Sequence, residues 1–397
     1  MSHPHMRLSR RSALLGLTSA FSIGRVSLAL AAAPTNKRFV VVILRGALDG
    51  MSAVVPYGDP DLANWRRDIL PSAVGTQGGM LDLGGFYGLH PAMTGMHALY
   101  QSGELLPVHA VAGPYRVRSH FEAQDYLEYG SDHSLTSGWL NRVAAQLPAH
   151  NGPSQLALAV GNNVPILLRG DTQVGNFSPK GFGEPSPDLY GRILAMHAHD
   201  IITGPALQNG LKERHFTDAA LMTDKPKSNR NAFPILCEDA GKLLAAPDGP
   251  RLAALEIGGW DTHTAQKNRL TGPLTELDAG MVALKAGLGD AWRDTVVLVM
   301  TEFGRTVRVN GTGGTDHGTG SVAFVLGGSV QGGRVQANWP GLAQGRLFEN
   351  RDLQPTADLR AVAKGLLAQH YHLDAAALAR VFPDSQVAGP MAGLIRT

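Results

Sequence analysis

Phe39-Val40-Val41-Val42-Ile43-Leu44-Arg45-Gly46-Ala47-Leu48-Asp49-Gly50 is the stretch whose reading decides the fold. Its first six residues are continuously apolar and half of them are valine, the pattern of a strand buried on both faces. Such strands occur in parallel sheets covered by helices, so the segment predicts an α/β protein. An Asp between glycines follows the strand at once, where open α/β sheets place their ligands, at the carboxyl edge.

Working outward, Leu105 to Val111, Leu156 to Val160, Leu252 to Ile257, Val296 to Met300 and Val322 to Leu326 read as further strands of the same kind. Helix-period stretches fall between them at Pro91 to Ser102, Phe121 to Tyr129, Gly138 to Leu147, Leu189 to His197, Ala232 to Leu244, Leu270 to Ala286 and Asp358 to His370. The expected fold is a mostly parallel sheet with helices on both faces, in β-α-β-α order throughout. Residues 162–187, dense in Gly, Pro, Asn and Asp, read as long loops or a cap beside the sheet.

The first 33 residues are of another kind. Ser9-Arg10-Arg11-Ser12-Ala13-Leu14-Leu15 leads into the short apolar run Gly16 to Ile23, and small residues up to Ala33 precede Pro34. That order is a twin-arginine signal peptide over 1–33, too short in its apolar part to span a bilayer. It predicts export by the twin-arginine translocase and a periplasmic or secreted single domain over 34–397. The leader holds Arg7, Arg10, Arg11 and Arg25 and no acid, so its removal leaves 31 basic against 33 acidic side chains and no basic tract for nucleic acid. Cys237 is the only cysteine, which excludes an intrachain disulfide.

Chemistry-bearing residues gather after the strands. Besides Asp49, the strand at Leu252 ends in Gly258-Gly259-Trp260-Asp261-Thr262-His263. The strand at Val296 ends in Thr301-Glu302-Phe303-Gly304-Arg305, and the loop beyond carries Gly314-Thr315-Asp316-His317-Gly318. Carboxylates gathered at one edge repel unless a cation stands among them. Imidazole beside carboxylate suits Zn, Mn or Fe better than Ca or Mg, so Asp49, Asp261, His263, Glu302, Asp316 and His317 are candidate ligands for one or two divalent transition metals. Arg116-Val117-Arg118-Ser119-His120-Phe121-Glu122 adds a hydroxyl and cationic groups at a helix start. Arg118, His120 and Arg305 are expected to bind an anionic substrate, and Ser119 is the candidate nucleophile. Bland readings stand beside these: Asp49-Gly50 is also a turn dipeptide, and Ser119 with Glu122 is also a capping box. His90, after a Gly-rich segment, is a residue that could approach the site.

Leu44 to Gly50, Gly88-Leu89-His90-Pro91, Arg118-Ser119-His120-Phe121, Gly138-Trp139-Leu140, Gly259 to His263, Glu302 to Arg305 and Gly314 to Gly318 together resemble the DUF1501 family of exported bacterial proteins, over essentially the whole chain after the leader. The family is of unassigned function and is similar to the alkaline phosphatase and sulfatase superfamily, which implies an alkaline phosphatase-like fold. The resemblance implies metal-dependent cleavage of a phosphate or sulfate ester, with Ser119 or a water held by the metal as nucleophile. It equally admits a non-catalytic envelope protein used for binding or assembly. The chain departs from the superfamily in the close spacing of Asp261 and His263, and in having Glu302-Phe303-Gly304 where an Asp-His-Gly would stand.

Overall fold

Alternate residues of the first strand enter different cores. Val40, Val42 and Leu44 pack on one side of the sheet, while Phe39, Val41 and Ile43 pack on the other. That is the outcome of period-two side chains in a strand with no solvent-facing side. The computed structural model describes residues 35–148, 156–177, 221 and 233–396. Among these residues the main sheet has eight strands: β1 (Arg38–Leu44), β2 (Leu105–Ala112), β3 (Ala157–Val160), β4 (Gly175–Phe177), β5 (Leu252–Ile257), β6 (Thr295–Thr301), β7 (Ser321–Leu326) and β8 (Ala357–Asp358). Their spatial order is β8-β2-β7-β6-β1-β5-β3-β4. On the Val40 face lie helices Thr94–Gln101, Phe233–Ala245 and Thr271–Leu288; on the Phe39 face lie His120–Tyr129, Trp139–Ala144, Leu359–Tyr371 and Ala375–Val381. Both faces are covered, as the apolar runs require.

The strict β-α-β-α order fails between β3 and β4 and between β7 and β8, which are joined without an α-helix, and above all between β6 and β7. β7 runs antiparallel to both of its neighbours, β6 and β2, whereas every other adjacent pair is parallel. No α-helix separates β6 from β7; the chain returns through the Gly-rich loop 302–320. The reversal brings the start of β7 to the edge where β1, β2, β5 and β6 end. One loop therefore delivers both of its ends, Glu302 and Asp316-His317, to the same place.

Part of the segment expected to be loops, 162–187, supplies the short helix Ile166–Leu168 and the edge strand β4; residues 178–187 lie outside the described residues. So do the leader 1–33 and the helix expected at Leu189 to His197. A small antiparallel sheet of Val54–Val55, Gly88–Leu89 and Leu81–Asp82, too short to read from periodicity, packs Val54 and Leu89 into the core on the Val40 face. Among the described residues no helix is long and apolar enough to cross a membrane. Cys237 is fully buried, and burial raises its thiol well above the usual range, consistent with an inert core position.

Candidate metal centre

The loops after β5 and β6 interlock because glycine lets one backbone touch another. A Cβ on Gly314 would stand 2.2 Å from the carbonyl carbon of His263, and one on Gly318 would stand 2.3 Å from that of Arg305. The glycines thus let the loop backbones meet.

Three imidazoles meet where these loops join. His317 Nε2 lies 3.0 Å from His120 Nε2 and 3.0 Å from His263 Nε2. Asp261 Oδ1 is 3.0 Å from His263 Nε2, 3.3 Å from His317 Nε2 and 3.7 Å from His120 Nε2. The other nitrogen of each ring is occupied: His120 Nδ1 by Glu302 Oε1 at 2.8 Å, His263 Nδ1 by Asp316 Oδ1 at 3.2 Å, and His317 Nδ1 by the Arg118 carbonyl at 3.0 Å. Each of these partners is an acceptor, so each Nδ1 carries a proton and donates it. The hydrogen-bond pattern therefore turns all three Nε2 atoms toward the same small volume.

Lone pairs at that separation repel unless something positive lies between them. Protons would satisfy these contacts only pairwise, one shared by His120 and His317 and another donated by His263 to Asp261 Oδ1. A metal ion can serve all of them. With bonds of about 2.0–2.2 Å, tetrahedral donors stand roughly 3.3–3.6 Å apart, close to the observed spacings. His120, Asp261 and His317 offer ligand atoms that all lie within 4.8 Å of one another, and His263 adjoins that group through its contacts to the last two.

The surrounding charges agree. Burial opposes ionisation of Asp261, yet the Arg305 guanidinium, 2.6 Å away, holds its carboxyl below the usual range. Glu302 is likewise held ionised against burial by His120 and Gln124, and Asp316 by Asn310 and His263. Three carboxylates against the one Arg305 guanidinium leave about two negative charges around the imidazoles, the complement of a divalent cation. Glu302 raises the pKa of His120, whereas burial lowers that of His317. The side chains of His263 and Asp261 are 41% and 45% exposed, so the donor group opens to solvent on one side.

The structure distributes the sequence-predicted residues over different tasks. Asp261, His263 and His317 join the donor group, and His120, expected to bind substrate, joins them. Glu302 and Asp316 stand behind the rings: Glu302 accepts from His120, from Gln124 Nε2 at 3.0 Å and from the Gly46 amide at 2.9 Å, which leaves it an orienting group. Arg305 is fully buried and spent on Asp261 and Thr315. The Arg118 guanidinium points to acids, with Asp352 Oδ2 at 2.8 Å and Glu349 beside it, and only its carbonyl reaches the centre. Asp49 is placed elsewhere: its Oδ2 is held by Arg66 at 2.7 Å, Ser52 at 2.7 Å and Gln266, all buried. His90 is also elsewhere, its Nδ1 accepting from the Ala92 amide at 3.2 Å.

Ser119 occupies the N-cap position of the helix His120–Tyr129, but its side chain makes no capping bond. The capping box does not form: the Ser119 amide donates to the Val117 carbonyl at 2.7 Å, and Glu122 accepts from the Tyr115 hydroxyl. Two supporting residues were missed in the sequence. Gln124 lies one helical turn after His120, an i,i+4 spacing that could have revealed it. Asn310 donates to Asp316 at 3.1 Å and to the His263 carbonyl at 2.9 Å from an irregular loop with no such signal. Glu302→Gln keeps the size of the group behind His120 but not its charge. Metal affinity is expected to weaken roughly 10- to 100-fold in a competition titration against a chromophoric chelator, and an unchanged affinity would remove Glu302 from the centre.

Fold and site together define an α/β protein whose sheet edge carries a solvent-open imidazole and carboxylate cluster. The chain belongs to the family described as "Protein of unknown function (DUF1501)", which matches residues 98–382 and so includes every member of the cluster but not Asp49. No curated protein matches the chain. Among solved structures, it is similar to the C-terminal periplasmic domain of EcEptC from Escherichia coli in complex with Zn, at 10% identity, covering 75% of this chain and 77% of that one with a TM-score of 0.35. It is also similar to Ps i-CgsB in complex with k-i-k-neocarrahexaose, at 11% identity, covering 74% of this chain and 66% of that one with a TM-score of 0.34.

Proposed function

We propose that this chain is an exported, metal-dependent hydrolase of an anionic phosphate or sulfate ester. The observation that carries the proposal is the convergence of three Nε2 atoms and Asp261 Oδ1 at an open sheet edge. His120, His263, His317 and Asp261 would hold one divalent transition metal, with Zn, Mn or Fe fitting the nitrogen and oxygen donors. When bound, the metal supplies a positive charge that polarises an ester oxygen and stabilises negative charge in the transition state.

The protein's own residues do the positioning. Arg305 fixes Asp261, Glu302 and Asp316 fix the ring planes of His120 and His263, and the Arg118 carbonyl fixes His317. Ser119 lies in the chain between Arg118 and His120, at the positive end of a ten-residue helix, which favours an ionised hydroxyl. The net reaction consumes one water and releases an alcohol and inorganic phosphate or sulfate. Export through the twin-arginine translocase, by way of the leader 1–33, would let the domain fold around its metal before crossing the membrane.

Ser119→Ala separates structure from chemistry. Since no capping bond exists to lose, stability is expected to change by well under the ~1 kcal/mol of a working cap, with metal content unchanged. Hydrolysis of aryl phosphate or sulfate esters is expected to fall more than about a thousandfold. Persistent hydrolysis would make water the nucleophile. The second reading, a non-catalytic envelope protein used for binding or assembly, is favoured by one observation: both arginines expected to bind substrate are already paired with carboxylates. A wild-type protein that binds metal but cleaves no phosphate or sulfate ester across a broad panel would establish it.

A further inference from the structure

Beside the imidazole cluster lies a cavity of about 220 Å³, lined by Trp65, Arg308, Asn310, Asp316 and Arg351 among others. It shares two elements with the centre. Asp316 faces both, since its Oδ1 holds His263, and Arg351 donates to the backbone carbonyl of His317. Its volume is below that of a pocket for a whole drug-sized ligand, about 300 Å³ and upward, and fits a head group or fragment.

The charges inside are unequal. Arg351 is tied to Asp352 at 2.9 Å, and Asp316 is tied to His263 and Asn310. Arg308 is different. Its guanidinium stands 4.8 Å over the Trp65 ring, and among the described residues no carboxylate lies within ion-pair distance of it. The perch is held on three sides: Trp65 Nε1 donates to the Leu342 carbonyl at 2.8 Å, the Thr306 hydroxyl donates to the Arg308 carbonyl at 2.9 Å, and the Val309 amide reaches the Trp65 carbonyl at 3.5 Å. A guanidinium stacked on an aromatic face keeps its edge N–H donors free for an anion.

We infer that this cavity is a second anion subsite, in which Arg308, propped on Trp65, receives a phosphate, sulfate or carboxylate group remote from the ester at the imidazole cluster. The preferred substrates are then esters that carry two anionic groups. This specificity rests on the hydrolase reading above; the anion binding does not.

The test has two arms. In the first, the His317→Ala protein, in which the metal centre is disabled, is titrated with inorganic sulfate, inorganic phosphate and acetate while tryptophan fluorescence is followed. Saturable quenching is expected, weakened at least tenfold by Arg308→Met and largely restored by Arg308→Lys; the anion bound most tightly identifies the head group. Equal binding by the Arg308→Met and Arg308→Lys proteins and their parent, or no saturable binding, would overturn the subsite. In the second arm, metal-loaded protein is given aryl esters with and without a second anionic group. Arg308→Met is expected to lower the ratio of kcat/KM for the doubly charged over the singly charged ester at least tenfold, and an unchanged ratio would overturn the inference. If the wild type cleaves neither ester, the hydrolase reading fails while the sulfate titration still decides the subsite.

Discussion

His317→Ala is expected to lose metal outright, with affinity falling more than about 100-fold, because this one ring touches every other donor. Its Nε2 stands 3.0 Å from both partner imidazoles and 3.3 Å from Asp261, so it is the centre of the group and not a peripheral member. Removing it leaves His120 and His263 joined only through Asp261, to which they stand 3.7 Å and 3.0 Å. The loop itself should survive, since Asp316 and Gly318 hold the β6 loop through backbone bonds to Thr306 and Gly304 that do not involve the imidazole. The fold should therefore persist by far-ultraviolet circular dichroism while metal content, measured by inductively coupled plasma mass spectrometry, drops to background. Metal retained at one ion per chain in this variant would place the binding site elsewhere.

A comparable effect, on stability this time, is expected at the end of β1. Asp49 and Arg66 are both 0% exposed and joined at 2.7 Å, and the remaining carboxylate oxygen, Asp49 Oδ1, has no hydrogen-bond partner among the described residues. Arg66 further donates to the carbonyls of Val307 and Thr306, so it ties the β1 end to the loop that carries Asp316 and His317. Arg66→Met leaves a buried carboxylate without its cation and should cost about 3–5 kcal/mol in denaturant unfolding at neutral pH. The double variant Asp49→Asn with Arg66→Met should recover much of that loss, since no buried charge remains.

The pH dependence has a definite sign. In the wild type burial opposes ionisation of Asp49, but Arg66 holds the folded-state pKa below the ordinary carboxylate value. That contribution is full above the unfolded pKa of about 3.9 and is lost as pH falls through the lower folded value. In Arg66→Met only the Ser52 and Gln266 hydrogen bonds are left to oppose burial, so the folded pKa rises and the penalty should shrink as pH falls toward the acid range. A penalty below about 1 kcal/mol, or one independent of pH, would show that Asp49 is not sustained by this pair. Asp49→Asn alone should keep its metal, because a guanidinium already supplies the cation that Asp49 requires.

Much of this was legible in the residues. The continuous apolar run Phe39 to Leu44 announced a doubly covered strand, and β5 was predicted with the bounds it has, Leu252–Ile257. Asp261, His263, Glu302, Asp316 and His317 were placed at one edge simply because each follows a strand. The strand direction was not legible: nothing in Val322 to Leu326 distinguishes a reversed strand from a parallel one, since both are buried on both faces. Roles within the cluster were hidden for a related reason. Whether a carboxylate lies in front of a ring or behind it depends on loop geometry, so Glu302 read as a ligand and His120 as a substrate contact. The partner of Asp49 was invisible, because Arg66 sits in the short helix Leu62–Arg66 with no pattern linking it to β1. The failed capping box shows the same limit, as the Ser119 amide turns to the Val117 carbonyl and Glu122 to the Tyr115 hydroxyl.

X-ray absorption at the zinc edge of the zinc-loaded protein tests the centre most directly. One ion per chain is expected, with a first shell of three imidazole nitrogens and at least one oxygen at about 2.0–2.2 Å. Failure to take up zinc, a shell without imidazole scattering, or two ions per chain would contradict the assignment of His120, His263, His317 and Asp261 to a single metal.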